Sequence, residues 1–322
     1  MTPNRPDTAD PSSDPAGSGR IRNDAVRLDV HGRPIDCHDG CLRHYAGAYY
    51  LYGTAYGDTD GFTPANRYVA YRSPDLLRWT PLGDLLDAPL EAVGYRPYVV
   101  HNAATAQYVL WFNWYPKLWE GCFGVAVADA PGGPFSVIHD DARVVQPHPG
   151  DHNLFVDDDG AAYLIYTSIR EDEVGHHRMS VERLDDRYTA STGESSGLFA
   201  AGVEAPAMLR RGGWCYALFG RCCCFCPEGS NVAVHRAADP LGPWEAVGEI
   251  NRGDAGGLIV AAQQTDVARL PAPGGGERWL WMGDRWGSNT DGVKGHDLQH
   301  WEPMTFDEGG RPEPLRDLTD WE

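Results

Sequence analysis

The chain alternates short apolar runs with polar stretches rich in turn residues, and five of the runs are dominated by aromatic and β-branched side chains. Runs of this length and composition are typical of β-strands. They lie at residues 49–52, 108–112, 163–166, 215–219 and 279–282. No segment shows a convincing helical period of apolar positions, so the pattern predicts an all-β fold.

A second pattern follows each run: a turn that contains Asp, Pro or Gly, and shortly after it one large aromatic residue. Subtracting their residue numbers gives spacings of 56, 53, 56 and 57 for Trp79, Phe135, Tyr188, Trp244 and Trp301. A fixed period with several short strands in each repeat matches a four-stranded propeller blade with its loops. A β-sandwich lacks such a period, and β-helix repeats are far shorter. The sequence therefore predicts a five-bladed β-propeller with four-stranded antiparallel blades.

The first residues differ from the rest of the chain. Residues 1–23 are rich in Pro, Asp, Ser and Gly and almost lack large apolar side chains. Such a segment cannot bury enough surface to offset the entropy of ordering. We therefore expect a disordered tail over residues 1–23 and a single propeller domain over residues 24–322.

The net charge of −19 limits the partners that the surface can bind. So acidic a surface repels phosphate groups, which argues against nucleic acids and anionic membranes but says little about a neutral sugar. Residues 1–30 lack the apolar core of about 7 to 15 residues that a secretory signal has, so we expect a cytoplasmic protein. The sequence makes no prediction of the oligomeric state.

The eight cysteines fit a reducing compartment, because the cluster Cys222, Cys223, Cys224 and Cys226 would invite scrambled pairing elsewhere. Cys223 and Cys226 have the spacing of half a zinc site, but no second pair is evident. We expect reduced thiols and assign no metal and no cofactor; a structural calcium ion or a soft metal stays an unassigned alternative. The acidic run at residues 157–160 lacks the other ligands of a calcium loop and predicts a hairpin turn.

Five polar residues occupy the same place in the five repeats, just before each apolar run. They are Asp39, Arg96, Asp151, Glu204 and Gln263. The innermost strands of a propeller line its channel, so residues at equivalent strand starts converge at one mouth. One acidic residue in such a place is commonly a turn or cap group, but three in register predict a shared site.

Several motifs between Ile35 and Trp301 are specific enough to compare with known families. They are His38-Asp39-Gly40, Arg72-Ser73-Pro74-Asp75-Leu76, Asp151-His152-Asn153-Leu154-Phe155 and Glu204-Ala205-Pro206-Ala207-Met208. Through them the chain resembles glycoside hydrolase family 43, five-bladed propellers that hydrolyse glycosidic bonds with inversion. Ala262-Gln263-Gln264-Thr265 and Met282-Gly283-Asp284-Arg285-Trp286 look closest to the branch containing exo-β-1,3-galactanases and galactofuranosidase-like members.

The resemblance implies a role for each carboxyl group: Glu204 as the general acid, Asp39 as the general base and Asp151 as the group that tunes and orients. It implies an exo-acting, inverting glycoside hydrolase for galactose- or arabinose-type linkages, with an oligosaccharide or glycoside as substrate. An inverting site needs its two carboxyl groups about 6.5 to 9.5 Å apart, which different blades can supply. The alternative is a propeller that binds glycan or protein without turnover. Three converging carboxylates favour the enzyme.

Two departures from the galactanase branch bear on the substrate. That branch often has Gly at the position of Asp39 and relies on a Gln at the position of Gln263, whereas this chain has both. It also carries a Glu before its Arg-Pro, where this chain reads Tyr95-Arg96-Pro97. Galactofuranosidase- and arabinofuranosidase-like activities are therefore alternatives to galactanase activity.

Substrate binding should draw on aromatic planes for the sugar faces and on a few polar groups for the hydroxyls. The aromatic candidates are Tyr56, Phe62, Trp114, Tyr115, Trp119 and Trp286, and the polar ones are His38, Arg96, Asn153, Gln263 and Arg285. For each aromatic the alternative is packing between blades. The repeated aromatics that end each blade are expected to pack only.

Overall fold

The computed structural model describes residues 19–117, 120–169, 177–221 and 226–322. Strand β1 (Ile21–Arg22) comes first, and the following strands form five antiparallel sheets in chain order. Blade 1 contains β2 (His38–Tyr45), β3 (Ala48–Ala55), β4 (Arg67–Ser73) and β5 (Thr80–Asp84). Blade 2 contains β6 (Val93–Asn102), β7 (Gln107–Lys117), β8 (Glu120–Ala128) and β9 (Ser136–His139).

The remaining strands continue the same order. Blade 3 contains β10 (Pro149–Val156), β11 (Ala162–Ser168), β12 (Arg178–Leu184) and β13 (Ser191–Ser195). Blade 4 contains β14 (Val203–Arg211), β15 (Trp214–Arg221), β16 (Ala233–Ala237) and β17 (Glu245–Glu249). Blade 5 contains β18 (Gln263–Pro271), β19 (Glu277–Arg285) and β20 (Leu298–Pro303), and β21 (Asp320–Trp321) ends the fold.

The predicted propeller is confirmed. The first strands of successive blades, β2, β6, β10, β14 and β18, each contact the next, and β18 contacts β2, so they close a ring around a central channel. The five apolar runs are the second strands, and they are buried on both faces because neighbouring blades cover them. Within the described ranges, no helix has the length and apolar character that crossing a membrane requires.

The aromatic that ends each repeat packs between blades, as predicted. Trp79, Phe135 and Trp301 are at most 1% exposed, and Tyr188 is buried as well. Trp244 stacks on the ring of Phe199 with centroids 5.4 Å apart. The period of the sequence is therefore the period of the packing between blades.

The two ends of the described chain meet at blade 5, which has three strands where four were predicted. Strand β1 pairs antiparallel with β21, and the Asn23 side chain donates to Trp301 O at 2.9 Å on the edge strand β20. Ile21 is buried, so the folded part begins before the predicted boundary at residue 24. A two-residue strand has no periodicity from which to predict it. Residues 1–18 lie outside the described ranges, and the disorder of that part of the tail stays a prediction.

Replacing Trp321 with Ala should destabilise the propeller by about 3 to 5 kcal/mol, as expected for removing a buried aromatic side chain. Trp321 is 4% exposed, and its indole N–H donates to Trp301 O. The free energy of unfolding in urea checks this. Replacing its exposed neighbour Glu322 with Ala is the control, expected within about 0.5 kcal/mol of the parent; equal effects of the two substitutions would contradict the role given to this closure.

Candidate active site

Each of the five first strands has a β-bulge at or beside its predicted site residue. The register with the second strand breaks between His38 and Cys41, Tyr95 and Tyr98, Pro149 and His152, Glu204 and Ala207, and Gln264 and Asp266. Asp39, Arg96 and Ala205 have φ values of 53°, 52° and 55°, in the left-handed region. A bulge bends its strand and redirects a side chain. Repeating it in every blade brings residues from the whole ring to one mouth of the channel.

Arg96 is the centre of the site. It is 2% exposed, its Nη2 lies 3.1 Å from Asp39 Oδ1, and its Nε lies 2.9 Å from Asp151 Oδ1. Burial lowers the pKa of Arg96, but the charges of Asp151, Asp39 and also Glu204 raise it well above its ordinary range. One guanidinium thus lies within electrostatic reach of all three predicted catalytic carboxyl groups.

Asp39 lies in a dry, polar environment, only 3% exposed. The Tyr56 hydroxyl donates to its Oδ2, while Arg96 binds its other oxygen. Burial raises the pKa of Asp39, Arg96 opposes that shift, and the nearby Asp284 and Asp151 add to it, which leaves the pKa at about 6. A carboxylate with this pKa is ionised near neutral pH and is basic enough to accept a proton from water.

Glu204 accepts a hydrogen bond from Gln263 of blade 5, which in turn accepts one from Trp286 of the same blade. Gln263 Nε2 donates to Glu204 Oε1 at 2.7 Å, and the Trp286 indole N–H donates to Gln263 Oε1 at 2.8 Å. Because an indole N–H can only donate, it fixes the Gln263 amide with its oxygen toward Trp286 and its nitrogen toward Glu204. Glu204 Oε1 is therefore an acceptor, and a proton on this carboxyl group belongs on Oε2.

Asp151 has one oxygen engaged and one available. Its Oδ1 binds Arg96, whereas its buried Oδ2 makes no hydrogen bond with the described residues. The side chain is 15% exposed, more than those of Asp39 and Arg96. A buried acceptor in this position is suited to a hydroxyl of a ligand, since an unpaired buried oxygen is costly.

Aromatic side chains form one wall of the site. Tyr56, Tyr95, Tyr115 and Trp286 belong to one buried cluster. Phe62, on the loop after β3, is 44% exposed and lies 6.4 Å from the Tyr95 ring. The wall therefore offers an exposed ring face at its outer edge, where a sugar could stack.

A cleft of about 610 Å³ lies against blade 4. Its lining includes Val203, the residue before Glu204, together with polar side chains at the end of blade 4, among them Arg221, Asn231 and Glu249. None of the candidate catalytic residues lines this cleft, and because neighbouring side chains of a strand point to opposite faces, Val203 faces the cleft whereas Glu204 faces away from it.

Most of the predicted site residues meet at this mouth. Asp39, Arg96, Asp151, Glu204, Gln263, Tyr56 and Trp286 are joined by the contacts described above. His38 is completely buried and touches Asp284 instead of lining an open surface. Its predicted role as a substrate-binding residue therefore changes to a supporting one.

Three predicted binding residues lie elsewhere. Arg285 binds Asp317 and His300 at the outer edge of blade 5. Trp114 packs against the core of blade 2, with its indole donating to Asp140 O. Asn153 lies deeper in the channel and donates to Asp266 Oδ1 at 2.9 Å. Neighbouring side chains of a strand point to opposite faces, which explains two of these corrections. Asp284 faces the site instead of Arg285, and Tyr115, which was predicted together with Trp114, lies in the aromatic wall whereas Trp114 does not.

The prediction missed Asp284 and Tyr95. Asp284 lies two residues before the predicted Trp286. Because side chains two residues apart in a strand point to the same face, the position of Trp286 could have identified Asp284 as well. Tyr95 was noted only as a departure from a family pattern, although it lies in the aromatic wall and its hydroxyl donates to Gly61 O at 3.0 Å.

The described cysteines and the acidic run bear on the metal sites that the sequence left open. Cys37, Cys41 and Cys215 are free, buried thiols. Residues 157–160 form the predicted hairpin turn, closed by Gly160 N donating to Asp157 O at 2.9 Å. No group of three or more His, Cys, Asp or Glu in the described ranges could hold a metal ion. Cys222, Cys223 and Cys224 lie outside those ranges, so the expectation for that cluster stays a prediction.

Several carboxyl groups around one channel mouth, beside aromatic rings that can stack on a sugar, are typical of enzymes that hydrolyse glycosidic bonds. The family model for glycosyl hydrolases family 43 matches residues 32–250, and the chain belongs to that family. This confirms the resemblance indicated by the motifs. No curated protein matches the chain significantly.

Solved structures show the same fold. A family 43 β-1,3-galactosidase has a TM-score of 0.79 and 25% identity over 94% of this chain and 63% of its own. A second one, solved with galactodeoxynojirimycin, has a TM-score of 0.79 and 24% identity over 94% of this chain and 99% of its own. An exo-β-1,3-galactanase from Clostridium thermocellum has a TM-score of 0.79 and 24% identity over 92% and 65%. This chain thus spans less than two thirds of the first and third structures.

Proposed function

We propose that this protein is an exo-acting, inverting glycoside hydrolase that releases terminal galactose- or arabinose-type residues. The observation that carries the proposal is Arg96, whose guanidinium binds Asp39 and Asp151 and is also within electrostatic reach of Glu204. A binding module has no need of three carboxyl groups around one buried cation. An inverting hydrolase needs an ionised one, a protonated one and a means of orienting them.

The reaction follows from the hydrogen bonds at each carboxyl group. Glu204 donates the proton on Oε2 to the leaving glycosidic oxygen as the bond from that oxygen to the anomeric carbon breaks. Asp39 accepts a proton from a water molecule whose oxygen bonds to the opposite face of the anomeric carbon. The products are the free sugar with inverted configuration, the departing alcohol, an ionised Glu204 and a protonated Asp39; proton exchange with water restores both groups.

The other residues bind and orient. Asp151 Oδ2 accepts from a sugar hydroxyl while Arg96 holds its Oδ1, and the exposed ring of Phe62 stacks on an apolar sugar face. The galactose preference draws support from relatives described as β-1,3-galactosidases and an exo-β-1,3-galactanase. Because Tyr95 stands where the galactanase branch has a Glu, the proposed substrates also include galactofuranosides and arabinofuranosides.

The direct test is hydrolysis of nitrophenyl glycosides of galactose, galactofuranose, arabinofuranose and xylose, together with β-1,3-linked galactose oligomers. The anomer released first is followed by proton NMR. We expect cleavage of a galactose- or arabinose-type substrate and release of the inverted anomer. Release of the retained anomer would contradict the inverting mechanism, and a lack of cleavage of every member of the panel would contradict the proposed substrates.

The pH dependence of kcat/KM should show the ionisation of Asp39. Because burial raises the pKa of Asp39 to about 6, the base is protonated and inactive below that pH. Activity should therefore rise as the pH increases through about 6. Initial rates at low substrate concentration between pH 4 and 9 measure this; a rate independent of pH over the acidic half of that range would contradict the assignment of the base.

A further inference from the structure

A third aspartate lies directly behind the candidate base. Asp284, on β19, is 3% exposed, and its Oδ2 accepts a hydrogen bond from the backbone N–H of Asp39 at 2.7 Å. Asp39 has a φ of 53°, a left-handed backbone conformation that a residue with a side chain keeps only when its surroundings hold it. The carboxylate of Asp284 thus binds the backbone at the position where Asp39 is turned toward the channel mouth.

Asp284 is in turn held by His38. Its Oδ1 lies 3.1 Å from His38 Nδ1, while His38 Nε2 lies 3.4 Å from Gly295 O and 4.0 Å from Asp36 Oδ1. Both ring nitrogens face acceptors, and only the imidazolium form has two N–H donors. Burial lowers the pKa of His38, but the charge of Asp284 and the hydrogen bond to it prevail and raise it to about 9. The pair is therefore an imidazolium and a carboxylate across the junction of blades 5 and 1.

Several charged or titratable groups face Asp39 from the elements around it. They are Arg96 on β6, Tyr56 after β3, Asp151 on β10, Asp284 on β19 and, at longer range, Lys294 on the turn before β20. Arg96 and Tyr56 bind the carboxyl group itself. Asp284 binds the backbone N–H, so it acts on the direction of the side chain as well as on its charge.

We propose that Asp284, held by the His38 imidazolium, is a positioning residue that fixes Asp39 at the bulge of β2 in the orientation that activates water. The inference rests on the proposed function, because it takes Asp39 to be the general base. Without Asp284 the backbone of Asp39 loses its acceptor and the base moves relative to the water. A misplacement of about 1 Å in an active site can cost on the order of 100-fold in rate.

The first test is Asp284→Asn, which keeps the shape but offers one acceptor oxygen for two donors. We expect kcat to fall roughly 10- to 100-fold with little change in KM. Because the charge of Asp284 raises the pKa of Asp39, its loss should also move the acidic limb of the kcat/KM profile to lower pH. A loss of folded protein alone would lower the apparent rate without moving that limb.

Two further variants act on the other end of the pair. In His38→Asn a side-chain amide can still donate to Asp284, whereas His38→Leu cannot donate. We expect His38→Leu to lose roughly 10- to 100-fold in kcat and His38→Asn to recover most of that loss. The matched control is Asp266→Asn, a buried carboxylate in the same blade that binds Arg43 and Asn153 instead of the base. It should leave the acidic limb in place.

The outcomes separate this inference from the proposed function. An inactive Asp39→Asn together with a folded Asp284→Asn of parental kcat and parental acidic limb would overturn the positioning role alone. A fully active Asp39→Asn would overturn the assignment of the base, and the positioning role with it. If Asp284→Asn does not fold, equal kcat values of folded His38→Leu and His38→Asn overturn the inference, and recovery by Asn supports it. Circular dichroism and thermal melting establish the folded fraction of each variant.

Discussion

Replacing Glu204 with Gln should lower kcat about 100- to 10,000-fold on a glycoside whose leaving group needs a proton, the range that general acid catalysis contributes. The substitution keeps the shape of the side chain and an oxygen that can accept from Gln263, whose amide donates to Glu204 Oε1 at 2.7 Å. What it removes is the proton on the other oxygen. Steady-state rates on a nitrophenyl glycoside and on the matching alkyl glycoside measure the effect.

The dependence of the rate of Glu204→Gln on the leaving group tests the role of the acid more specifically. A dinitrophenolate departs without protonation, so its glycoside should be cleaved by Glu204→Gln with a much smaller loss than the alkyl glycoside. The control is Glu182→Gln, another fully buried glutamate, which binds Tyr166 and Ser191 in blade 3 and should keep its activity. Equal losses on both leaving groups would remove Glu204 from the role of acid.

Replacing Arg96 with Leu should cost both stability and activity. The guanidinium is buried between Asp39 and Asp151, and removing one member of a buried ion pair typically costs about 3 to 5 kcal/mol because the partner charge is left unpaired. Arg96 also lowers the pKa of Asp39, so without it the base should hold its proton to higher pH. We expect a lower midpoint of urea unfolding, a kcat reduced at least about 100-fold, and an acidic limb moved to higher pH.

Arg96→Lys is the matched control. Lysine keeps one positive charge but cannot present the fixed fork that binds two carboxylates from different blades. Compared with Arg96→Leu, the Arg96→Lys variant should regain part of the stability but little of the activity. A lysine variant with parental kcat would show that charge alone suffices and that the two-sided geometry of the guanidinium is dispensable.

The fold was predictable because its determinants repeat. Five aromatic runs and five terminal aromatics, near a constant spacing, report the same contacts between blades five times, so one weak local signal is reinforced by four others. The closure of the ring was not predictable in this way. Ile21–Arg22 and Asp320–Trp321 occur once each, are two residues long, and depend on Asn23 reaching the edge of blade 5.

The candidate site was predictable where it shares that repetition. Asp39, Arg96, Asp151, Glu204 and Gln263 stand at equivalent places, and the structure gathers them around one mouth. The residues that surround them depend on which face of a strand they occupy. Arg285 and Trp114 each lie one residue away from the residue of the same strand that faces the site. Asn153 is in the correct strand but lies beyond the bulge between Pro149 and His152 that contains Asp151.

The bulge in every first strand has a consequence for how this scaffold can change. Each blade turns its own residue toward the same axis, so the hydrogen-bonded ladder of each sheet is independent of which side chain stands at the bulge. Asp39 in blade 1 and Gln263 in blade 5 occupy equivalent positions but have different partners: Asp39 binds Arg96 and Tyr56, whereas Gln263 donates to Glu204. Moving the base between these blades would therefore leave the strands unchanged but would require new partners around the carboxyl group.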